Sequence, residues 1–130
     1  SKKDKVKSVI SGEELIRLQE LVREVPISDE LVSLVSQLVR MTRPDTSKDE
    51  YIKKMVSWGA GPRAGQAMIL TAKARALLSG RLSVTPQDIK SVALPVLRHR
   101  VIVNFRAEAE GITSDEVVHH LLKSELFSKY

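Results

Sequence analysis

A tight turn and the start of a helix are encoded by residues 58–64, which read Trp58-Gly59-Ala60-Gly61-Pro62-Arg63-Ala64. Pro62 has the fixed φ and the missing N–H that suit the first position of a helix, and Gly61 is an acceptable N-cap before it. Arg63 then lies in the first turn of the longest helix that the sequence predicts, residues 62–79. The other elements are interpreted as support for this helix.

Arg63 occupies an electrostatically unfavourable position. A helix N-terminus carries a partial positive charge, so a cation there loses roughly 0.3–1 kcal/mol. Free backbone N–H groups, two glycines that let a ligand approach and a guanidinium that can bind phosphate oxygens in bidentate fashion favour a phosphate site at Gly61, Pro62 and Arg63. The alternative is an exposed arginine on a solvated loop, with its stem lying over apolar neighbours.

Composition limits the possible functions. A chain of 130 residues without cysteine predicts one domain with neither disulfides nor a thiolate metal site, which fits a reducing, cytoplasmic setting. No apolar run approaches the ~18 residues of a membrane span, so we expect no membrane partner. The net charge is +5, and residues 1–7, with four lysines and one aspartate, supply three of these charges. We therefore divide the chain into a basic tail or boundary segment, residues 1–10, and a helical domain, residues 11–130.

Helix signals recur along the chain with short gaps, and no pair of strands is evident. A serine or threonine precedes an acidic residue at five predicted helix starts, which are Ser11, Ser28, Ser47, Thr85 and Thr113. Apolar residues at helical spacing follow each start and predict one buried face per helix. The predicted buried residues are Leu15, Leu18, Val22 and Val25; Leu31, Leu34, Val35, Leu38 and Met41; Ile52, Met55 and Val56; Ile89, Val92, Val96 and Leu97; and Val117, Val118, Leu121 and Leu122. The pattern predicts an all-α fold, a compact bundle of about six helices.

Three local features refine this prediction. The apolar face of helix 62–79 contains alanines, which let neighbouring helices approach closely, so we place this helix at the centre of the bundle. Pro95 is expected to break or kink the fifth helix near Leu94. One β-prone run at residues 101–105 cannot form a sheet alone, so we expect a buried extended segment there. The predicted buried face of the central helix is Ala67, Leu70, Thr71, Ala74, Leu77 and Leu78.

The sequence lacks the common catalytic motifs. There is no Gly-x-x-x-x-Gly-Lys-Ser/Thr loop, no Gly-x-Ser-x-Gly elbow and no thiol nucleophile, so any ATP chemistry must be shared with another domain. His119 and His120 point about 100° apart on a helix, which is wrong for a metal pair, so a solvated pair and no metal site are predicted.

Two further features have alternative interpretations. The cluster Arg98-His99-Arg100 either complements a helix dipole or contacts phosphate or an acidic neighbouring subunit. Trp58 either anchors the turn against the core, which we expect, or forms an interface hot spot.

Several stretches together resemble the C-terminal lid of MoxR-type AAA+ ATPases. They are Trp58-Gly59-Ala60-Gly61-Pro62-Arg63-Ala64, Ala72-Lys73-Ala74-Arg75-Ala76-Leu77-Leu78-Ser79-Gly80-Arg81, Val84-Thr85-Pro86-Gln87-Asp88-Ile89 and Leu94-Pro95-Val96-Leu97-Arg98-His99-Arg100, with the opening helix at residues 11–25 and Leu38-Val39-Arg40-Met41-Thr42-Arg43-Pro44. The resemblance covers nearly the whole chain in the family's order and spacing.

The resemblance implies a role for Arg63 as the sensor 2 residue, which in that family meets the nucleotide phosphates between the lid and the P-loop domain. Gly61 stands where the family usually has serine, which removes a side-chain cap. The P-loop, the Mg²⁺-binding acid and the arginine finger belong to a preceding domain, so ATP with Mg²⁺ is expected only in the full-length protein, and this fragment alone is expected to hydrolyse nothing.

Further expectations follow from the resemblance. Such proteins typically assemble into homo-oligomeric hexameric rings and act as chaperones that remodel or mature protein complexes, often with von Willebrand A domain partners. An alternative is a basic all-α module that binds nucleic acid or a protein through the lysine tail and Arg98 and Arg100. A third interpretation is a structural oligomerisation domain that depends on Trp58.

Overall fold

The computed structural model describes residues 10–130, in which seven α-helices, one 3-10 helix and one small sheet are present. The helices are α1 (Gly12–Glu24), α2 (Asp29–Met41), α3 (Glu50–Met55), α4 (Pro62–Leu78), α5 (Pro86–Leu97), α6 (Phe105–Ala109) and α7 (Ser114–Leu122), and the 3-10 helix is Glu125–Phe127. The strands are β1 (Val56–Trp58) and β2 (Ile102–Val103). The prediction of a compact all-α bundle is confirmed, whereas the predicted lysine tail at residues 1–7 lies outside the described residues.

Helix α4 is the centre of the bundle, as predicted, because it packs against α1, α2 and α5. Its buried face is Ala64, Met68, Ala72 and Ala76, each at most 1% exposed. These residues are spaced four apart and are mostly small, so neighbouring helices can approach closely on this side.

The predicted buried face of α4 was largely wrong, although Ala67 and Leu77 are half-buried and pack against the core. Leu70 is 44% exposed and Leu78 is 83% exposed. Apolar residues lie all around this helix, so their spacing indicates no single buried direction, and the space available between three neighbours selects the alanine row instead.

Helix α1 contains no buried residue, so its predicted buried face was also wrong. Leu15 and Leu18 remain 46% and 38% exposed, and Val25, which follows the helix, is the buried residue of this segment. The other predicted faces are largely confirmed: the buried members are Leu31, Leu34, Val35, Leu38, Ile52, Met55, Val56, Ile89, Val92, Val96, Leu97, Val117, Val118 and Leu121.

The predicted helix starts are confirmed at Ser11, Ser28, Thr85 and Thr113, whose side chains accept a hydrogen bond from a backbone N–H of the first turn. The start of α3 differs. Its N-cap is Asp49, which accepts from the N–H groups of residues 51 and 52, while Ser47 accepts from the N–H of Asp49. A carboxylate caps as well as a hydroxyl and also complements the helix dipole.

The prediction was a break or a kink near Leu94, and the break was wrong, because helix α5 continues through Pro95 to Leu97. The N–H of Arg98 still bonds to the carbonyl of Leu94 at 2.9 Å. Because burial of Val96 and Leu97 continues beyond the proline, packing offsets the one helical hydrogen bond that a proline cannot donate.

The run at residues 101–105 forms strand β2 and the start of α6, which the sequence analysis missed. β1 pairs antiparallel with β2, with Val56 opposite Val103 and Trp58 opposite Ile102. The expectation of a buried extended segment is confirmed in part: the backbone is extended and Val101 is buried, but Ile102 is 55% exposed and the segment pairs with β1. Within residues 10–130 no helix is long and apolar enough to span a lipid bilayer.

Candidate functional site

The turn between β1 and α4 has the form that the sequence predicts. Helix α4 begins at Pro62, and Gly61 is its N-cap with extended backbone, φ −99° and ψ −176°. No side chain caps the first turn of α4. No capping side-chain oxygen therefore competes with an anion for the N–H groups of that turn, so this end of the helix is suited to bind an anion.

The end of α2 holds this turn in place. Thr42 is fully buried, and its Oγ1 accepts a 2.9 Å hydrogen bond from the N–H of Ala60 while donating to the carbonyl of Val39 at 2.6 Å. A Cβ on Gly59 would lie 2.4 Å from the Thr42 carbonyl oxygen and 2.6 Å from the Arg43 Cα. Only glycine permits this contact, which fixes the turn against the segment after α2.

Arg63 is exposed on the first turn of α4. In the part of the chain that the structure describes, its guanidinium has no hydrogen-bond or ion-pair partner. Arg75 and Arg81 are different, because both bind the carboxylate of Asp88, which is fully buried. Arg63 is thus available to a phosphate in a way that the other two arginines are not.

Two open cavities meet at Pro62. A groove of about 400 Å³ lies between α2 and the first half of α4, and a cleft of about 500 Å³ lies between residues 43–45 and the turn at residues 57–62. Arg43 and Pro62 line both cavities. Arg43 was not predicted as a site residue; its place in the stretch Thr42-Arg43-Pro44 of the resemblance was the available signal.

Trp58 is 72% exposed and lines the cleft, so the expectation that it packs in the core was wrong. Its position follows from the strand pairing, which places it opposite Ile102 on an open sheet of two strands. The burial pattern of β1 is one buried residue followed by two exposed residues. Trp58 is therefore available to a partner or ligand.

The basic cluster at the end of α5 is engaged within the protein. Arg98 donates to both carboxylate oxygens of Asp115, at 2.9 and 3.3 Å, and Arg100 donates to the carbonyl of Val96 at 2.7 Å. The structural interpretation of these arginines is therefore favoured over an external phosphate contact.

His120 is not simply solvated, as was predicted for the histidine pair. Its Nε2 lies 2.7 Å from Asp49 Oδ2, and its ring stacks on Tyr51 with 4.2 Å between centroids. Burial works against ionisation of Asp49, but hydrogen bonds from His120 and the N–H of Ile52 lower its pKa below the usual value. His119 is exposed, and residues 10–130 contain no cluster of acidic and histidine side chains that could hold a metal ion.

Comparison with known proteins identifies relatives of this arrangement. A sequence profile of the AAA lid domain matches residues 48–121. Chaperone MoxR1 of Mycobacterium tuberculosis is 35% identical over 119 residues, which cover 91% of this chain and 32% of that protein. Protein MoxR of Paracoccus denitrificans is 37% identical over 51 residues, 39% of this chain and 15% of that protein.

A crystal structure supports the same assignment. A candidate ATPase from Cytophaga hutchinsonii superimposes with a TM-score of 0.83 at 34% identity, covering 91% of this chain and 36% of that chain. The chain thus spans about a third of the length of the relatives that it matches over most of its own length. With the profile match across the helices that surround the turn, these similarities show that the chain belongs to the AAA lid domain family and is a lid of the MoxR type.

Proposed function

We propose that this chain is the lid of a MoxR-family AAA+ ATPase and couples the state of bound ATP to chaperone-like remodelling or maturation of protein complexes. The similarity to a named chaperone and to a candidate ATPase supports the proposal. The chain has no P-loop sequence of its own, so ATP binding and hydrolysis would be shared with a P-loop domain of the same longer protein.

The observation that carries the proposal is the free guanidinium of Arg63 at the uncapped start of the central helix. Gly61, Pro62 and Arg63 suit the phosphates of ATP, because the turn offers backbone N–H groups, close approach and a bidentate cation. The acidic residues of the described chain form no cluster for Mg²⁺, so the metal would be held by the P-loop domain and the phosphates.

A switching mechanism follows from this contact. Arg63 binds the γ-phosphate in the ATP state, and hydrolysis removes that partner. The lid is then free to rotate as a rigid body. The hydrogen bond from the Ala60 N–H to Thr42 Oγ1 fastens the turn before α4 to the end of α2, so the two helices move together.

The wider assembly is part of the same proposal. Like other AAA+ proteins, the full-length protein would form a homo-oligomeric ring, with six subunits and a cytoplasmic location as the specific expectation. Proteins with von Willebrand A domains are candidate partners. The internal pairing of Arg98 with Asp115 and of Arg100 with a backbone carbonyl argues against nucleic acid as a partner of that surface.

The test is ATP turnover by the full-length protein with Arg63→Ala and Arg63→Lys. A charge-assisted hydrogen bond is worth about 1.5–3 kcal/mol, so we expect turnover to fall at least roughly tenfold in Arg63→Ala, with partial activity in Arg63→Lys. Arg106→Ala is the matched control, since Arg106 is an exposed arginine on α6 whose one ion-pair partner among residues 10–130 is exposed Glu110. Unchanged turnover in Arg63→Ala, with helicity and ring assembly intact, would contradict the sensor role and indicate that the domain serves as a structural scaffold.

A further inference from the structure

We infer that Thr42 positions Arg63: the Thr42 side chain anchors the start of α4 from outside the helix and so sets where the guanidinium meets the phosphates. The inference rests on the proposed function, because it explains how the proposed sensor is aimed. Thr42 is a positioning residue, since its side chain acts through the turn and does not touch the nucleotide.

The start of α4 lacks the local anchor that the other helices have. Of the seven α-helices within residues 10–130, only α4 has an N-cap residue whose side chain makes no hydrogen bond to the first turn. The loss of a side-chain cap destabilises a helix start. An ordered first turn of α4 therefore depends on contacts from elsewhere in the fold.

Thr42 supplies such a contact from the end of α2. Its side chain is fully buried, and Oγ1 accepts a 2.9 Å hydrogen bond from the N–H of Ala60, a residue that is itself 1% exposed. The hydroxyl proton is donated to the carbonyl of Val39 at 2.6 Å, which fixes the orientation of the hydroxyl. Because the bonded N–H precedes the helix, this anchor leaves the N–H groups of the first turn available to an anion.

Little backbone freedom remains between this anchor and the guanidinium. Two residues separate Ala60 from Arg63, and one of them is Pro62, whose ring fixes its φ. Before Ala60, Gly59 lies so close to the Thr42 carbonyl group that an added Cβ would clash with it. A displacement of Ala60 therefore moves Arg63 as well, and a misplacement of about 1 Å can slow a catalysed reaction roughly 100-fold.

The experiment is a double-mutant cycle on ATP turnover by the full-length protein. Thr42→Val removes the hydroxyl but nearly keeps the shape of the side chain, whereas Thr42→Ser keeps the hydroxyl. Thr42→Val is also combined with Arg63→Ala. Ser114→Ala is the control, because Ser114 donates a comparable 2.7 Å hydrogen bond to the Val101 carbonyl but lines neither cavity at the turn. Helicity, ring assembly and thermal unfolding are followed in every variant.

We expect Thr42→Val to lower kcat at least roughly threefold, a small part of what a 1 Å misplacement can cost. Thr42→Ser and Ser114→Ala should stay within about twofold of wild type, since neither frees the turn. In the Arg63→Ala background, Thr42→Val should change kcat by less than about twofold, because a residue that acts through Arg63 then has nothing left to position.

The inference is overturned if Thr42→Val keeps wild-type turnover, or if Thr42→Ser or Ser114→Ala loses as much as Thr42→Val. It is also overturned if the losses from Thr42→Val and Arg63→Ala multiply in the double variant. A loss in Arg63→Ala without one in Thr42→Val contradicts this inference alone, whereas unchanged turnover in Arg63→Ala contradicts the proposed function.

Amide exchange of the wild-type protein decides the question if Thr42→Val does not fold or assemble. The Ala60 N–H should exchange slowly both without nucleotide and with a bound ATP analogue, because the anchor has to hold while Arg63 binds the phosphates. Fast exchange of this N–H in the ATP-bound state would overturn the inference.

Discussion

Replacing Gly59 with alanine tests how the turn is held. The added Cβ would lie 2.4 Å from the Thr42 carbonyl oxygen and 2.5 Å from the Thr42 carbonyl carbon. Real contacts of this kind are 3.0 Å or longer, so the turn or the end of α2 must move by at least ~0.6 Å. Both partners are backbone, so no side-chain rotation can relieve the clash.

The expected cost has two parts. Forcing extra volume into a packed contact costs roughly 1–3 kcal/mol. The displacement also weakens the buried bond between Ala60 and Thr42, and an unsatisfied buried N–H costs roughly 1–3 kcal/mol. We therefore expect Gly59→Ala to lower the free energy of unfolding by about 3 kcal/mol, which for a domain of this size lowers Tm by about 10 °C.

The assay is thermal and urea unfolding followed by circular dichroism, with Gly61→Ala as the matched control. A Cβ on Gly61 meets nothing within 4 Å, and its φ of −99° suits any residue. The control should cost at most about 1 kcal/mol, because alanine is a poorer N-cap than glycine but restricts the unfolded chain more. Equal stability of the two variants would refute the close approach of the turn to α2.

Three further predictions concern the same scaffold. Thr42→Val removes the acceptor of the Ala60 N–H and should cost roughly 1–3 kcal/mol in urea unfolding; a change below ~0.5 kcal/mol would argue against the bond. Burial opposes ionisation of Asp88, but the Thr85 N–H and two arginines lower its pKa below the usual 3.8. The carboxyl of Asp88 therefore loses its proton more readily in the folded state than in the unfolded state. The stability that the Asp88 carboxylate contributes is complete above ~pH 4 and should be lost as the pH falls through the lower folded pKa. Unfolding curves of Asp88→Asn that keep the wild-type acid dependence would contradict this prediction. Arg98→Ala breaks a half-exposed ion pair with Asp115 and should cost less than ~1 kcal/mol, and a loss above ~2 kcal/mol would show that the pair is worth more than its exposure suggests.

Local chemistry made much of the fold predictable from the sequence. The caps at Ser28 and Thr85 and the start of α4 at Pro62 depend on residues within one helical turn, so spacing and residue type were sufficient. The buried face of α2 was also predictable from the sequence, because one side of that helix is apolar and buried and the other is polar.

Tertiary context decided the features that sequence reasoning missed. The row of Ala64, Ala72 and Ala76 is buried because three helices crowd α4, a fact that hydrophobicity alone does not contain. The pairing of Trp58 with Ile102 joins residues 44 positions apart in the sequence, and neither run is long enough to predict a sheet.

The candidate site divides in the same way. The position of Arg63 was predictable, because Gly61 and Pro62 fix it in the first turn of a helix. The place of Arg43 in the cleft depends on the close approach of Gly59 to the end of α2, and the exposure of Trp58 depends on the pairing of β1 with β2, so neither was predictable from local pattern. Contacts between distant segments build the cleft, and no local pattern reports them.

The most direct test of the central claim is a structure of the full-length protein with Mg²⁺ and a non-hydrolysable ATP analogue. We expect a guanidinium nitrogen of Arg63 to lie about 2.7–2.9 Å from an oxygen of the γ-phosphate, as in charge-assisted hydrogen bonds. An occupied nucleotide site with Arg63 still in solvent, in every subunit of the ring, would contradict it.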